Sequence, residues 1–238
     1  MKAVICGAGG AMGQILCQML GEEVVGRVSL DGNNGSVQTF AELGPVEADV
    51  VIDFSHHASA ADVLTYAKAK GIGVVIGTTG HTLEEKQLIV DAAKEIPVFF
   101  SGNMSLGIAV LCRLAKEAAK FFPDADIEIV ETHHNRKVDA PSGTALMLFD
   151  AVKQARPEAV ANCGRSGECK RSKEEIGISS LRMGSVVGVH EVHIHTGTQC
   201  LTLRHEAVNR SMFADGAVEA ARFLSGKGPG LYNMDDMM

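Results

Sequence analysis

Two adjacent histidines and a lysine, His133, His134 and Lys137, bring proton-handling and cationic groups into one short segment. Imidazole exchanges protons near neutral pH, and an ammonium can donate a proton or hold a carboxylate. Lys137 is therefore the natural proton donor of the segment, and Asp139 can orient the loop that carries it. A pair of surface histidines is more often only solvated, so the pair alone does not predict a site.

The residues that follow, Pro141-Ser142-Gly143-Thr144, have the pattern of a helix start. The free N–H groups at such a start attract a carboxylate, and the helix dipole adds to the attraction. The segment therefore predicts an acid–base group beside a site for an anionic substrate. His133 and His134 leave a strand, so their side chains are expected on opposite sides, and at most one can face the reacting atom.

Glycines close to the first residue predict a dinucleotide cradle. They fall at Gly7, Gly10 and Gly13, with Gly9 in addition, between a short apolar strand and a helix over about 11–20. In a Rossmann unit such glycines let the pyrophosphate approach a helix N-terminus. The strict GxGxxG spacing is not met, and a purely structural glycine turn is the alternative.

Asp31 ends the second strand and lies 24 residues after Gly7. This is close to the separation of roughly 20 residues expected between the glycine loop and an acceptor for the ribose 2′-OH. The charge of Asp31 would repel the 2′-phosphate of NADPH, and residues 32–34 include no lysine or arginine that could bind this phosphate. NADH is therefore favoured over NADPH. The loops 77–80 and 101–104 follow the carboxyl ends of later strands, where ligands of such sheets bind. They are expected on the nicotinamide side, with ordinary turns as the alternative.

Strands and helices alternate over the first hundred residues, which predicts an α/β fold with a Rossmann-type doubly wound parallel sheet. From residue 126 polar and apolar residues alternate, and short strands are predicted over 126–131, 185–192, 193–196 and 199–204. A helix over 213–224, with no strand after it, returns to the first part. We therefore predict a dinucleotide-binding domain (1–105 plus 214–238) and an α+β substrate-binding and oligomerisation domain on a mixed or antiparallel open sheet (106–213).

Composition excludes several classes of protein. The net charge is -7 and no basic block occurs, which argues against a nucleic-acid partner. No apolar run approaches the ~18 residues of a membrane span, and the first residues run directly into a strand, so a cytoplasmic protein is expected. The six cysteines include no CxxC pair and are expected to be buried, reduced thiols.

A second histidine group could suggest a metal site, because His193 and His195 should share one strand face. No carboxylate or cysteine completes the expected ligand spacing, so no metal is predicted, and a polar sheet face at a subunit or substrate surface is favoured. His190 and His205 belong to the same group. Arg165 and Arg182 are further candidate anion contacts.

Over nearly its whole length, the chain resembles the dihydrodipicolinate reductase (4-hydroxy-tetrahydrodipicolinate reductase) family. The motifs that carry the resemblance are Gly7-Ala8-Gly9-Gly10-x-Met12-Gly13, Asp53-Phe54-Ser55, Gly77-Thr78-Thr79-Gly80, Asn103-Met104-Ser105-Leu106-Gly107, the segment 131–145, Arg165-x-Gly167, Gly188-x-His190-Glu191, the segment 205–217 and Gly230-Leu231-Tyr232. The 131–145 segment is the specific part, whereas the glycine loop indicates only a dinucleotide.

The resemblance implies a function in diaminopimelate and lysine biosynthesis, where the family reduces the dihydrodipicolinate ring at C4 with NAD(P)H, water being lost from the 4-hydroxy precursor. It implies that His133 is a proton donor and acceptor and that Lys137 is a proton donor. Substrate contacts are implied for His134, Ser142, Gly143 and Thr144. Cofactor contacts are implied for Gly7, Ala8, Gly9, Gly10, Ala11, Met12, Asp31, Gly77, Thr78, Thr79, Ser101, Gly102, Asn103 and Met104. A cytoplasmic homotetramer, assembled through the sheet of the second domain, is also implied.

The chain departs from the family pattern at a few positions. Gly32 stands where some members carry a basic residue, which bears on the use of NADPH. Ser101-Gly102 replaces Ala-Pro or Ala-Ala, and Met104 stands where an aromatic residue is common. The alternatives to a reductase of this small dicarboxylate are a dehydrogenase of another amino or oxo dicarboxylate and a nucleotide-sensing regulatory protein.

Overall fold

The chain divides into two units in the computed structural model, which describes all 238 residues. One unit comprises 1–105 with 211–238, and the other comprises 106–210. The sequence predicts the second boundary at 213/214, whereas the returning helix begins at Ser211. The first turn of that helix carries Ser211 and Met212, which contribute little to its apolar periodicity.

Six parallel strands form the sheet of the first unit, in the order β11-β5-β4-β3-β1-β2. Its strands are β1 (Ala3–Cys6), β2 (Val24–Val28), β3 (Val50–Asp53), β4 (Gly73–Ile76), β5 (Pro97–Phe100) and β11 (Gly230–Tyr232). Its helices are α1 (Ala11–Leu20), α2 (Ala60–Lys70), α3 (Leu83–Ala92) and α6 (Ser211–Leu224), with short 3-10 turns at Gly21–Glu23, Phe40–Leu43, His57–Ser59 and Met234–Met237. The predicted doubly wound parallel sheet is confirmed.

The buried strands of this sheet explain why it forms. Each residue of β1, β3 and β4 is buried, as expected where helices cover both faces of a parallel sheet. Helix α3 begins with a reciprocal capping box, in which Thr82 accepts from the Glu85 amide and Glu85 accepts from the Thr82 amide. This satisfies two amides that the helix itself leaves unpaired.

The expectation that no strand follows the last helix is wrong. Strand β11 (Gly230–Tyr232) pairs in parallel with β5 and adds an edge strand to the sheet. It is only three residues long and follows Gly228-Pro229, so neither its length nor its flanks carry a strand pattern. Such a short edge strand forms because the neighbouring strand is already in place.

The second unit has a mixed five-stranded sheet, ordered β10-β9-β6-β8-β7. Its strands are β6 (Asp126–His133), β7 (Val160–Cys163), β8 (Glu175–Arg182), β9 (Gly188–His195) and β10 (Cys200–Ala207), and its helices are α4 (Leu106–Phe121) and α5 (Gly143–Ala155). Strand β6 is parallel to β8 and antiparallel to β9. The predicted mixed sheet is confirmed.

Individual strands of this unit differ from the sequence-based expectations. The separate strands over 185–192 and 193–196 are wrong, because β9 is continuous and its inward and outward residues alternate without a break. Strands β7 and β8 were not predicted. Strand β8 contains Gly177 and two serines, which lower the apparent strand propensity of its sequence. Gly177 leaves room for the Glu128 carboxylate, which a Cβ at this position would displace.

Strand β6 positions the chemistry-bearing residues of this unit. Its inward residues Ile127 and Ile129 belong to the apolar core, and the same face continues through Glu131 to His133 at the strand's end. The core places aliphatic side chains of α4, α5 and the sheet against one another. One strand face therefore changes along its length from hydrocarbon to a carboxylate and an imidazole.

Two remaining features concern helices and cysteines. No helix of the structure has the length and apolarity that crossing a membrane requires.

All six cysteines are free thiols, and Cys6 and Cys17 are buried. The expectation of burial is wrong for Cys163, Cys169 and Cys200, which are exposed in strands or loops at the surface.

Candidate active site

His133 and Glu131 form a buried pair on the inward face of β6. The Nδ1 atom of His133 lies 2.5 Å from Oε2 of Glu131, whose side chain is completely buried. An ionised carboxylate can only accept hydrogen bonds, so Nδ1 of His133 carries the hydrogen. The other ring nitrogen, Nε2, is then the atom that can exchange a proton.

The Glu131 carboxylate also accepts a bidentate pair from Arg182, at 2.8 and 2.7 Å. The Ser142 amide donates to it at 3.1 Å. Burial raises the pKa of Glu131, but hydrogen bonds from Arg182, His133 and Ser180 outweigh burial and lower this pKa to about 2. Glu131 is therefore a carboxylate throughout the physiological range. Arg182, a candidate anion contact from the sequence, is occupied by this pairing.

Lys137 lies just beyond a tight turn. Its amide donates to the His134 carbonyl at 3.1 Å, which closes the turn, and its Nζ lies 2.8 Å from Oδ1 of Asp139. Hydrogen bonding to Lys137 lowers the pKa of Asp139. Arg182 donates to the Asp139 carbonyl at 2.7 Å and so fixes this loop to β8. The contact with Arg182 is made by the Asp139 backbone, so the suggestion that the Asp139 side chain orients the loop stays a prediction.

Helix α5 begins at Gly143, as the Pro-Ser-Gly-Thr pattern predicts. Ser142 is its N-cap, with extended backbone, and its Oγ accepts from the Ala145 amide at 3.2 Å. The cap leaves the Gly143 amide at the first helical position without a partner. An anion is favoured at such a position by the unpaired amide and by the helix dipole.

His190 joins the Ser142 side of this arrangement. Its Nε2 lies 3.2 Å from the Ser142 Oγ, and its ring packs edge-on to His133 with centroids 5.1 Å apart. Burial and then the proximity of His133 lower the pKa of His190 to about 4, so this ring is neutral near pH 7. The sequence did not single out His190 for this place.

His134 lies outside the buried face, half-exposed, among positive charges. Its pKa is lowered by desolvation and then by the charges of Arg136 and Arg210. His133 is buried on the strand face, whereas His134 begins the turn, so only one of the two histidines shares the Glu131 contact. The neighbourhood of His134 is cationic although the chain as a whole is acidic, which favours an anionic ligand.

In the first unit, the loop after β1 has the form of a phosphate cradle. Gly7 has φ +81°, a conformation that side chains rarely adopt. A Cβ at Gly13 would overlap the Gly7 carbonyl oxygen, so the helix can approach the loop only with glycine there. Gly10 is the N-cap of α1 and has no side chain that could cover the helix N-terminus. Ala8 is buried, whereas Gly10 and Ala11 are exposed and Gly9 and Met12 are half-exposed.

Asp31 follows β2 and lies beside this loop. Its carboxylate accepts from the Ser29 hydroxyl at 2.7 Å and from the Asn33 amide at 3.1 Å. These hydrogen bonds lower the pKa of Asp31, that from Ser29 most. A Cβ at Gly9 would overlap the Asp31 carboxylate, which places this acid directly against the glycine loop.

A cavity of about 740 Å³ opens beside Asp31. It is lined by Gly7, Gly10, Asp31 and residues that sequence reasoning missed, among them Phe40 and Tyr66. The rings of Phe40 and Tyr66 are stacked with centroids 4.6 Å apart. Their helical and turn contexts resemble ordinary core positions, so the sequence carries no signal for them.

A second cavity of about 240 Å³ adjoins the first, since both are lined by Phe54, Ser55 and His56. Gly77, Thr78 and Thr79 also line it. The Thr78 hydroxyl donates to the buried Asp53 carboxylate at 2.7 Å, so its side chain ties this loop to the end of β3.

The loop 101–104 divides into an exposed part and a buried part. Gly102 is exposed and Ser101 is half-exposed, and the Ser101 hydroxyl donates to the Asn103 carbonyl at 2.7 Å. Asn103 and Met104 are buried, and a Cβ at Gly216 of α6 would overlap the Met104 carbonyl. The structure therefore separates these four predicted contacts into two accessible and two buried residues.

The second histidine group does not gather into a metal-binding arrangement, since no three His, Cys, Asp or Glu residues in the structure could hold an ion. His193 lies near Glu191 and Thr202 on the outward face of the sheet. Arg165 forms an ion pair with Glu175 rather than facing an open anion site.

Comparison with known proteins identifies the chain's family. Residues 1–104 match the family described as "Dihydrodipicolinate reductase, N-terminus", and residues 107–238 match "Dihydrodipicolinate reductase, C-terminus". The 4-hydroxy-tetrahydrodipicolinate reductase of Clostridium tetani is 41% identical over 247 residues, covering 100% of this chain and 97% of the relative. That of Caldanaerobacter subterraneus subsp. tengcongensis is 44% identical, covering 100% and 98%.

A solved structure has the same fold. Dipicolinate-bound dihydrodipicolinate reductase from Paenisporosarcina sp. TG-14 superposes with a TM-score of 0.82 at 23% identity, covering 100% of this chain and 99% of the other. Sequence relatives over the full length and a shared two-part fold agree on one assignment. The chain belongs to the dihydrodipicolinate reductase family, and it is an NAD(P)H-dependent oxidoreductase that reduces 4-hydroxy-tetrahydrodipicolinate in diaminopimelate and lysine biosynthesis.

Proposed function

We propose that this reductase uses NADH in preference to NADPH, and that His133 and Lys137 handle the proton that accompanies the hydride. The proposed acid–base role rests on the 2.5 Å contact between Glu131 and His133. The turn that follows, from His134 to Lys137, carries the Lys137 ammonium. Both residues belong to the segment that ends at the N-terminus of α5.

The substrate carboxylates are held by the cationic turn and by the helix start. The Gly143 amide and the helix dipole favour one carboxylate, with Ser142 and Thr144 beside it. Lys137 and His134 bind from the turn, where Arg136 and Arg210 add positive charge. The dipicolinate named for the Paenisporosarcina structure is a dicarboxylate of the same class.

Lys137 and His133 then act on the bound ring. An ammonium can donate a proton and stabilise the negative charge that develops on the substrate. His133 presents Nε2, because Nδ1 is committed to Glu131. One of these two side chains protonates the product. The other can bind a substrate carboxylate or return a proton to the side chain that donated it.

The residues of the first unit fit a nicotinamide dinucleotide. The glycine cradle, residues 7–12, faces the pyrophosphate, and residues 77–79 and 101–104 are assigned to the nicotinamide half. The bound cofactor supplies the hydride. Asp31 accepts from the adenosine ribose hydroxyls and repels a 2′-phosphate, and the neighbouring Gly32, Asn33 and Asn34 bring no cation to offset that repulsion. NADH is therefore the favoured reductant, and NADPH the weaker one.

The remaining assignments are a cytoplasmic location and a homotetramer assembled through the sheet of the second unit. Family membership supports both. Sedimentation velocity of the purified protein checks the assembly, and a monomer at micromolar concentration would contradict it.

The principal test measures oxidation of NADH and NADPH by the purified protein, with substrate generated from pyruvate and aspartate semialdehyde by the preceding synthase. Oxidation is expected only when the synthase is present, with kcat/KM higher for NADH. Equal or higher kcat/KM for NADPH would contradict the cofactor preference. A His133→Gln variant with undiminished kcat would contradict the proton-handling role.

A further inference from the structure

Glu131 is a buried carboxylate to which the family assignment gives no task. Its side chain has no exposed surface, yet it is surrounded by donors: His133 Nδ1, both terminal nitrogens of Arg182 and the Ser142 amide. Burying a carboxylate is costly unless such partners compensate it. A leucine or valine would fill this position of β6 at lower cost, as Ile127 and Ile129 do further along the same face.

We propose that Glu131 is a positioning residue for His133, which fixes the tautomer and the orientation of the imidazole so that Nε2 is the proton-exchanging atom. The inference rests on the proposed role of His133. Without this role, the Glu131 carboxylate would be only the acceptor of an ion pair with Arg182 on the neighbouring strand.

The tautomer follows from hydrogen-bond chemistry. Neutral imidazole carries one hydrogen, on either Nδ1 or Nε2, and the two forms have similar energies in water. A carboxylate 2.5 Å from Nδ1 accepts that hydrogen and so selects the form in which Nε2 has a lone pair. When Nε2 is protonated, the same carboxylate stabilises the imidazolium.

Arg182 keeps Glu131 in the state that this role requires. Its bidentate contact, together with the hydrogen bonds from His133 and Ser180, offsets the effect of burial and holds the Glu131 pKa at about 2. A protonated glutamic acid could donate to Nδ1 and would then select the opposite tautomer. Arg182 therefore fixes the direction of the hydrogen bond between Glu131 and His133.

The space around His133 also favours a fixed ring. A Cβ at Gly188 would lie only 3.1 Å from Nε2, so glycine at this position of β9 gives the ring its room. The neutral His190 ring packs edge-on at 5.1 Å. Orientation is thus set from three sides, by Glu131 on the same strand and by two residues of β9.

The same strand contains a second glutamate–arginine pair that serves as a control. Glu128 lies on the same strand and pairs with Arg171, which also donates to the Ile127 carbonyl, and neither a hydrogen bond nor an ion pair joins its carboxylate to its cross-strand neighbour His193. Glu128→Gln therefore removes a glutamate–arginine pair from β6 without removing a partner of a histidine. Glu128 is 42% exposed and Glu131 is buried, so the cost of burial is separated from the positioning role by the double-mutant cycle.

The test is a double-mutant cycle on kcat with NADH and the synthase-generated substrate. Glu131→Gln is expected to lower kcat by about 10- to 100-fold, the usual effect of removing a partner that orients a functional histidine. Glu128→Gln should change kcat less than about 2-fold. In the His133→Gln background, the further change Glu131→Gln should also lower kcat less than about 2-fold, because its target is gone.

The outcomes separate the two proposals. If His133→Gln lowers kcat and Glu131→Gln lowers it by the same factor with and without His133, the positioning role is overturned and the role of His133 stands. If His133→Gln leaves kcat unchanged, the proposed proton handling fails, and the positioning role fails with it. An unchanged kcat in Glu131→Gln alone overturns the positioning role.

A spectroscopic measurement keeps the inference testable without turnover. In ¹⁵N-labelled protein, the ring nitrogens of His133, assigned by their loss in His133→Gln, should report the Nδ1–H form in the native chain and a mixture in Glu131→Gln. The same native tautomer in both proteins would overturn the proposal. If Glu131→Gln fails to fold, Glu131→Asp is the second variant. It keeps the negative charge but is shorter by one methylene, so the carboxylate lies farther from Nδ1 of His133, and the same loss of tautomer preference is expected.

Discussion

The ammonium of Lys137 lies 2.8 Å from the carboxylate of Asp139, two residues further along the chain. The proposed proton donor is therefore already paired with an anion that belongs to the protein. Lys137 is 21% exposed and Asp139 is 58% exposed, so the lysine is the more enclosed partner and the aspartate is the one that can swing away. In the proposed function, a substrate carboxylate takes the place that Asp139 occupies.

Replacing Lys137 by Ala should lower kcat by about 10²- to 10⁴-fold, the range for loss of a general acid. The NADH dissociation constant should stay within about 2-fold, because the assigned cofactor residues lie in the other unit of the chain. Stopped-flow oxidation and fluorescence titration measure the two quantities. Lys120→Ala, on an exposed pair with Glu117, is the matched control. Full activity of Lys137→Ala would remove Lys137 from the mechanism.

Replacing Asp139 by Asn should lower the substrate KM by about 1.4- to 5-fold, since the substrate no longer competes with an exposed ion pair of about 0.2–1 kcal/mol. The turnover number should change little. Steady-state kinetics at saturating NADH give both constants. A raised KM would instead show that the carboxylate is needed to hold the loop in place.

Replacing Asp31 by Ala should weaken NADH binding more than NADPH binding. Losing the hydrogen bonds from the ribose hydroxyls to this carboxylate should raise the Kd for NADH by roughly 10- to 150-fold. NADPH loses less, because the variant also removes the repulsion of its 2′-phosphate. Isothermal titration with both nucleotides measures the difference, with Asp91→Ala on α3 as a control. Equal losses for both would rule out the ribose contact.

His190 should make the protein less stable in mild acid. Its pKa is lowered from the ordinary histidine value of 6.5 to about 4 in the fold, by burial first and by His133 next. The unfolded chain therefore binds the proton more readily than the folded chain. The resulting stability is complete above about pH 6.5 and is lost as the pH falls through about 4, by roughly 3 kcal/mol in all.

His190→Gln should flatten this pH dependence, whereas the exposed His195→Gln should leave it as it is. Urea denaturation at pH 7 and at pH 4.5 measures the free energy of unfolding for the three proteins. An unchanged slope between these pH values in His190→Gln would refute the assignment to this ring.

The sequence predicts best where one segment contains the whole signal. The alternation of strands and helices over the first hundred residues and the glycine loop before α1 are local signals, and both appear in the structure. The start of α5 after Ser142 is predicted for the same reason, because a cap and the helix it begins are adjacent in sequence.

Prediction fails where a structure depends on distant partners. Glu131 and Arg182 are 51 residues apart and meet only because β6 and β8 pair in parallel, with His133 directly beside Arg182 in the register. Strand β8 was itself missed because of its glycine and serines. The stacked Phe40 and Tyr66 beside the large cavity likewise come from separate elements, and nothing in either local pattern distinguishes them from core residues.

The way the last residues complete the first sheet has a consequence for synthesis on the ribosome. Residues 106–210 form one uninterrupted unit, so all its strands emerge before the first unit has received α6 and β11. Strand β5 then has an unpaired edge until the final residues leave the exit tunnel. The second unit is therefore expected to fold first, although it is encoded second, and a chain truncated after residue 210 should bind no dinucleotide while its substrate unit already resists protease.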